Sequence, residues 1–391
     1  MTDWFAYTDC RWYFGEKPCR FKRLCPNCPH HAPRGAEVLV IKLGALGDVL
    51  RTTALLPALR RRHGDDAFLT WVTRPEALDL VANQPLVDRA LPLDLETAVG
   101  LRGRRFDAVY VLDKDPAATG LGLAVEAGKR WGFTHDGRGA LVVSNVEAEY
   151  YWRLGLDDEE KFTRNTRSYQ ELLAEGLALD YRGEPYELRP SEEDRRAAAE
   201  ILDQERKGKG LDPGARLVGL NIGAGGGFAN KNWPAGRYAE LMTRRPGWTF
   251  LILGGPAEAR AMEVLAEAPN ALSGGSDNPL LRFAALAEKC AAVVTGDTLG
   301  LHVALAVGTP VVALFGPTSP REIDLRGLGE KEAGAVNLNI AKIDLRGLGE
   351  KLLGDYDCAP CYRRTCDTSP SCVEAVGADA VLEAVERLLR G

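Results

Sequence analysis

Five times along this 391-residue chain, a short run of branched apolar residues stops at a glycine turn and a helical pattern begins. EVLVIKL at 37–43 runs into Gly44-Ala45-Leu46-Gly47-Asp48, and LVGLNI at 217–222 into Gly223-Ala224-Gly225-Gly226-Gly227. TFLIL at 249–253 meets Gly254-Gly255-Pro256, AAVVT at 291–295 meets Gly296-Asp297-Thr298, and VVALF at 311–315 meets Gly316-Pro317-Thr318. Unbroken apolar strands of this kind are buried on both faces, and strands that feed helices through tight turns build parallel sheets with binding loops at the carboxyl edge. Further strands are expected at 67–72, 108–112 and 129–133. The alternation pauses and then restarts near 215, which predicts two α/β units with a cleft between them.

The charged, Ala-rich stretch at 191–206 reads as an amphipathic helix, and KGKGLDPG at 207–214 has the composition of a linker. The expected organisation is therefore a Cys-rich appendage at 1–35, one domain at 36–206, the linker at 207–214, a second domain at 215–357, and a Cys motif with a terminal helix at 358–391. Hydrophobic residues at 45% and charged residues at 27% fit ordinary globular domains, and the net charge of −6 argues against nucleic acid as a partner. No apolar run reaches membrane-spanning length, and MTDWFAYTDC lacks the apolar stretch of a signal peptide, so a cytoplasmic protein is expected.

Glycine turns let backbone amides approach a ligand, and the helix that follows adds unsatisfied donors and a positive dipole end, which suits phosphate. The same glycines also serve tight strand–helix connections. The turns at 223–227, 254–256 and 296–300, with Lys231 after the first, point to a nucleotide phosphate site. Asp48 is either a first-turn helix acid or a general base for a substrate hydroxyl. Glu258 either binds ribose hydroxyls or is a first-turn acid, and Trp233 reads as packing. Arg51, Arg60, Arg61 and Arg62 either attract an anionic acceptor or end a solvated helix.

Eight of the nine cysteines form two sets. Cys358-x2-Cys361-x4-Cys366-x5-Cys372 has the spacing of one tetrahedral thiolate site for zinc or iron. Cys10-x8-Cys19-x5-Cys25-x2-Cys28 forms a second candidate metal site, with His30 and His31 as spare ligands. The alternative for both sets is partly buried thiols, and Cys290 reads as an inert core residue. IDLRGLGEK occurs at 323–331 and again at 343–351, which reads as a duplicated surface loop or an oligomer contact.

The stretch VLVIKLGALGDVLRTTALLPALRRRH closely resembles the opening of the bacterial heptosyltransferase-like glycosyltransferases, which transfer heptose from ADP-heptose to the lipopolysaccharide core. The likeness continues through GLNIGAGGGFANKNWPAGRYAEL, FLILGGPAEAR and VVTGDTLGLHVALAVGTPVVALFGPTSP. It implies an α/β fold of the GT-B type: two facing Rossmann-like domains across a cleft, with Cys-rich terminal segments. The acceptor would bind mainly to the first domain and the nucleotide sugar to the second.

By resemblance, Asp48 matches the catalytic base and Lys231 a residue on donor phosphate. Gly223, Gly225, Gly226, Glu258, Gly296, Asp297, Thr298, Leu299, Gly300 and His302 fall on the donor-binding segments. Leu299 stands where relatives usually carry glycine. Lys42, Gly47 and Arg51 are expected on the acceptor side. His302 by itself reads as a structural group facing the sheet, and the resemblance makes it a donor contact. The cysteine patterns recur in some relatives, where a structural or acceptor-organising role is implied.

The expectation is inverting transfer without a catalytic metal. The acceptor is a glycan or lipid-linked glycan, with peripheral contact at the inner membrane face and possible self-association. Two rivals stand beside it: a non-catalytic nucleotide-sugar-binding or metal-thiolate scaffold, and a nucleotide-sugar epimerase that needs no acceptor.

Overall fold

The computed structural model describes residues 7–13, 19–223, 229–323, 349–354 and 356–390. The chain divides into two compact units, Met1–Lys161 with Gln170–Arg182, and Phe162–Tyr169 with Gly183–Gly391.

In the first unit the order is β1 (Glu37–Ile41), α1 (Leu46–Thr52), α2 (Leu56–His63), β2 (Phe68–Thr73), α3 (Leu78–Ala82), β3 (Arg89–Pro92), α4 (Leu95–Leu101), β4 (Arg105–Val111), α5 (Pro116–Ala124), β5 (Glu126–His135), β6 (Leu141–Val143), α6 (Glu149–Arg153) and α7 (Tyr169–Gly176). The strands lie in the order β3-β2-β1-β4-β5-β6, parallel except for β6, which runs antiparallel to β5. Ile41 is paired with Val72 on one side and Val111 on the other, and Leu39, Ile41, Val109 and Phe133 share a core. Burying each such side chain contributes about 1.5–3 kcal/mol.

The second unit runs α8 (Glu192–Lys209), β7 (Leu217–Asn221), α9 (Ala235–Arg244), β8 (Thr249–Leu253), α10 (Ala259–Ala266), β9 (Ala271–Ser273), α11 (Leu280–Glu288), β10 (Ala292–Gly296), α12 (Leu299–Ala306), β11 (Val311–Phe315), β12 (Gly349–Leu353) and α13 (Ala378–Leu388). Its sheet is β12-β11-β10-β7-β8-β9, parallel throughout. Numbered from its own first strand, each sheet has the order 3-2-1-4-5-6 of a doubly wound nucleotide-binding fold. Among the described residues, no helix is long and apolar enough to cross a membrane.

Two expectations are corrected. The sequence places the helix at 191–206 in the first domain, with the boundary at 207–214. It forms as α8, begun by a Ser191–Asp194 capping box, but it belongs to the second unit. Ala198 and Leu202 pack with Leu286 and Leu301, and Arg195 forms a two-pronged ion pair with Glu288 on α11, so the chain changes unit before the helix. The residues at 207–209 finish that helix, and Gly210 closes it at φ 64°.

The duplicated IDLRGLGEK is also not wholly a surface loop. Residues 324–348 lie outside the described residues, but the last three of the second copy begin β12 against β11, with Lys351 1% exposed.

Candidate active site

In the first unit the strand order reverses between β1 and β4, the place where an open parallel sheet leaves a ligand crevice at its carboxyl edge. Lys42, just past β1, is 2% exposed and ion-pairs with Asp113, just past β4. The Asp113 carboxylate also accepts the amides of Leu43 and Gly44, the latter at 2.7 Å. A Cβ on Gly44 would stand 2.7 Å from Lys42 Nζ and 2.9 Å from Asp113 Oδ1, so a larger residue here would have to displace that ion pair.

The turn delivers Asp48 as the third residue of α1, after half-buried Gly47. Asp48 Oδ1 accepts from Arg51 Nε at 3.1 Å and Nη2 at 2.8 Å. The Asp48 side chain is 35% exposed and that of Arg51 9%, so the carboxylate remains open to solvent while its partner is covered. Arg60, Arg61 and Arg62 are committed elsewhere. Arg60 bonds the Ala67 and Leu86 carbonyls and Asp88, Arg61 pairs with Asp180, and Arg62 donates to the carbonyls of Leu177 and Ala178 that follow α7.

The second unit repeats the reversal between β7 and β10. Buried Asn221 ends β7 and donates to Thr295 Oγ1 at 2.9 Å and Thr298 Oγ1 at 3.0 Å. Thr298 caps α12 by accepting the Gly300 amide at 3.2 Å. A Cβ on Gly300 would come within 2.4 Å of Asn221 Nδ2, and one on Gly296 within 2.6 Å of the Lys231 carbonyl. Both predicted glycines therefore permit close approach. Leu299 is the half-buried first residue of α12.

Lys231 Nζ donates to Asp297 Oδ2 at 3.0 Å and to the Asp297 carbonyl at 3.2 Å, and Thr318 Oγ1 donates to the same carboxylate at 2.6 Å. Burial pushes the Asp297 carboxyl up, but the charges of Lys231 and His302 and the bonds from Thr318 and Lys231 outweigh it and hold the group below its usual value. His302, 5% exposed, meets the Tyr186 hydroxyl through Nδ1 at 3.1 Å. Glu258 accepts the Gly255 amide at 3.1 Å and lies against Gly223, whose Cβ would fall 2.8 Å from its carboxylate.

Thus Lys231, Gly296, Asp297, Thr298, Gly300 and His302 assemble at one switch point, with Gly223 joined to it through an Asn221 bond at 3.3 Å. Gly225 and Gly226 lie outside the described residues. Such a cluster of covered cation, hydroxyls and helix amides suits a diphosphate.

The model of glycosyltransferase family 9 (heptosyltransferase) matches residues 96–345. The chain belongs to glycosyltransferase family 9. The family 9 match contains the whole Lys231–Asp297 cluster, whereas Asp48 precedes it. Lipopolysaccharide heptosyltransferase 1 of Pseudomonas aeruginosa is 27% identical over 365 residues, covering 86% of this chain and 88% of that protein. Two solved structures share the fold: a family 9 glycosyltransferase from Veillonella parvula (TM-score 0.64, 21% identity, 91% of this chain and 97% of that one) and the E. coli ADP-heptose LPS heptosyltransferase II (0.61, 20%, 90% and 98%).

The cysteines of this family 9 chain do not assemble as expected. Among the described residues no group of three or more His, Cys, Asp or Glu side chains is gathered to hold a metal. Each set is split by burial. Cys372 is 6% exposed and packs into the second unit's core, whereas Cys358 and Cys366 are exposed. Burial raises the Cys372 thiol, with the charges of Cys366, Cys361 and Cys358 adding to it. At the other end Cys10 is buried beside its bridge to Pro33, while Cys19, Cys25 and Cys28 are partly exposed. His30 stacks on Phe21 at 3.9 Å and His31 meets Asp9 at 3.2 Å. As arranged, these residues do not fit a tetrathiolate metal. Cys290 is a buried thiol pushed up to about 12, an inert core residue as expected.

The structure adds Asp113, Asn221, Tyr186 and Thr318 to the residues found by sequence. Asp113 and Asn221 had a signal, since each is a polar residue closing an apolar strand, in VYVLD and LVGLN. Tyr186 had none, because it lies in an irregular stretch between helices.

Proposed function

We propose that this glycosyltransferase moves heptose, or a closely related sugar, from ADP-heptose to a lipopolysaccharide core acceptor with inversion at the anomeric carbon. Likeness to lipopolysaccharide heptosyltransferases supports the sugar and acceptor class. The Lys231–Asp297–Thr318 cluster at the amino end of α12 carries the reading.

Cleavage of the anomeric C–O bond leaves negative charge on the departing diphosphate. Lys231 and the amides after Thr298 stabilise that charge, so the displacement needs no metal. Asp297 holds the lysine in position, and His302 and Glu258 contact the sugar or ribose. Asp48 in the first unit takes the proton of the acceptor hydroxyl as its oxygen attacks, and Arg51 orients that carboxylate. Lys42 and Gly47 complete the acceptor side, and the enzyme works from the cytoplasm on an acceptor carried in the inner membrane.

Transfer of labelled heptose to core acceptor tests the reading. Asp48→Ala should lower turnover by about 10²–10⁴-fold while calorimetric ADP binding survives. Unchanged turnover in that variant removes Asp48 as base. Conversion of the donor without any acceptor would mark an epimerase, and binding without turnover across donors and acceptors a scaffold.

A further inference from the structure

The Cys segment at 358–372, although it gathers no metal group, packs directly on the loops that carry Lys231 and Thr318. The Tyr362 amide donates to the Pro317 carbonyl at 2.7 Å. Its hydroxyl accepts the Ser319 amide at 3.1 Å and donates to the Glu322 carboxylate. Asn230, next to Lys231, donates to the Arg363 carbonyl at 2.7 Å. A Cβ on Gly316 would lie 2.7 Å from Cys372 Sγ and 2.3 Å from Val373 Cγ2, so the segment presses against the turn after β11 with no spare space. The Tyr362 ring stacks on Phe162, with centroids 4.7 Å apart and planes 15° apart.

We propose that Tyr362 is a positioning residue of the donor site, and that the Cys segment is thereby a wall of the pocket for a nucleoside diphosphate. The inference rests on the reading that the second unit binds the donor. The path is short. Tyr362 holds 317–322 at three points, that loop presents Thr318, Thr318 bonds Asp297, and Asp297 holds Lys231. Burial, then the neighbouring Glu322 and Asp297 carboxylates, push the Tyr362 phenol up, so it stays protonated and donates at any physiological pH. Buried Lys351 also bonds this loop, through the Pro320 carbonyl at 2.6 Å. The hydroxyl of Tyr362 is the side-chain group of the segment that bonds directly to residues 319 and 322 of the loop presenting Thr318.

Calorimetry with ADP on the full chain, paired with kinetics, tests this. Tyr362→Phe keeps the ring stack and removes the hydroxyl. It should weaken ADP binding and raise the donor KM about tenfold, the worth of roughly one good hydrogen bond, with the acceptor KM unchanged. Exchange of the Ser319 amide should quicken in the same variant. Glu322→Gln, which spares the tyrosine, should weaken ADP about threefold and serves if Tyr362→Phe does not fold. Tyr356→Phe is the control. It removes a bond to the Pro370 carbonyl inside the same segment, away from the loop, and should leave ADP affinity unchanged. If Lys231→Ala binds ADP as tightly as wild type, the donor reading itself fails. If Lys231→Ala weakens ADP while Tyr362→Phe and Glu322→Gln do not, the positioning role alone is overturned. Equal loss in Tyr356→Phe also overturns it, since the effect would then be general loosening.

Discussion

At the scale of single residues, the two switch points use the same device: a polar side chain at the end of one strand ties down the turn after its neighbour. Asp113 after β4 clamps the Gly44 turn, and Asn221 at the end of β7 clamps the turn of Thr295 and Thr298. Asp113 has the greater energetic consequence, because it faces a lysine that is 3% exposed at its side chain. Removing one member of a covered ion pair strands the other charge, which costs about 3–5 kcal/mol. Asp113→Ala should therefore lower the unfolding free energy by that order, read as a lower urea midpoint, and slow transfer, with ADP affinity unchanged if the second unit holds the donor as proposed. Chemical denaturation together with ADP calorimetry checks both halves of the expectation. The residue types were readable in advance at Asp48, Lys231 and Asp297. The pairing of Lys231 with Asp297 was not, because a hydrogen bond between residues 66 positions apart leaves no local pattern.

Elements were legible in proportion to how completely they are buried. TFLIL and VVALF form β8 and β11 over the expected residues, since central parallel strands must be apolar on both faces. The missed strands β3, β6, β9 and β12 are short or at sheet margins, where one neighbour suffices and the composition relaxes to sequences such as RALP and GEKLL. β12 also takes part of its anchoring from residues beyond the duplicated segment. Lys351 is followed by Leu352-Leu353, whereas Lys331 is followed by Glu332-Ala333. Leu352, 1% exposed, supplies the apolar anchor that lets the second copy close the sheet. Leu352→Ala should cost about 2–5 kcal/mol, read as a lowered urea midpoint, because it removes buried apolar surface and leaves a cavity in the core.

Across the whole molecule, the two units should respond to acid in different ranges. In the first unit, burial, then Arg62, hold His63 below its usual 6.5 against the opposing pull of Asp107, while its ring meets the Tyr110 hydroxyl at 2.7 Å. The unfolded chain takes up that proton first, so the stability it contributes is complete above pH 6.5 and is lost as pH falls towards the lower folded value. Asp297 in the second unit follows the same sign but only below its ordinary 3.8. Thermal melts between pH 7.5 and 5.5 should show a decline in the first unit that shrinks in His63→Gln. A decline of equal size in that variant would remove His63 as its source.

The chain by itself determined which segments are strands buried on both faces, that the central strands of each sheet run parallel with glycine turns at their carboxyl edge, and which family it belongs to. These follow from local composition and spacing, which any fold of this class must satisfy. Tertiary structure alone decided that α8 joins the second unit, that the cysteine sets split between core and surface, and that 358–372 packs on the loops around Lys231. Those outcomes depend on which surfaces complement one another across long stretches of chain, and complementarity between distant segments is a property of packing that no local pattern encodes.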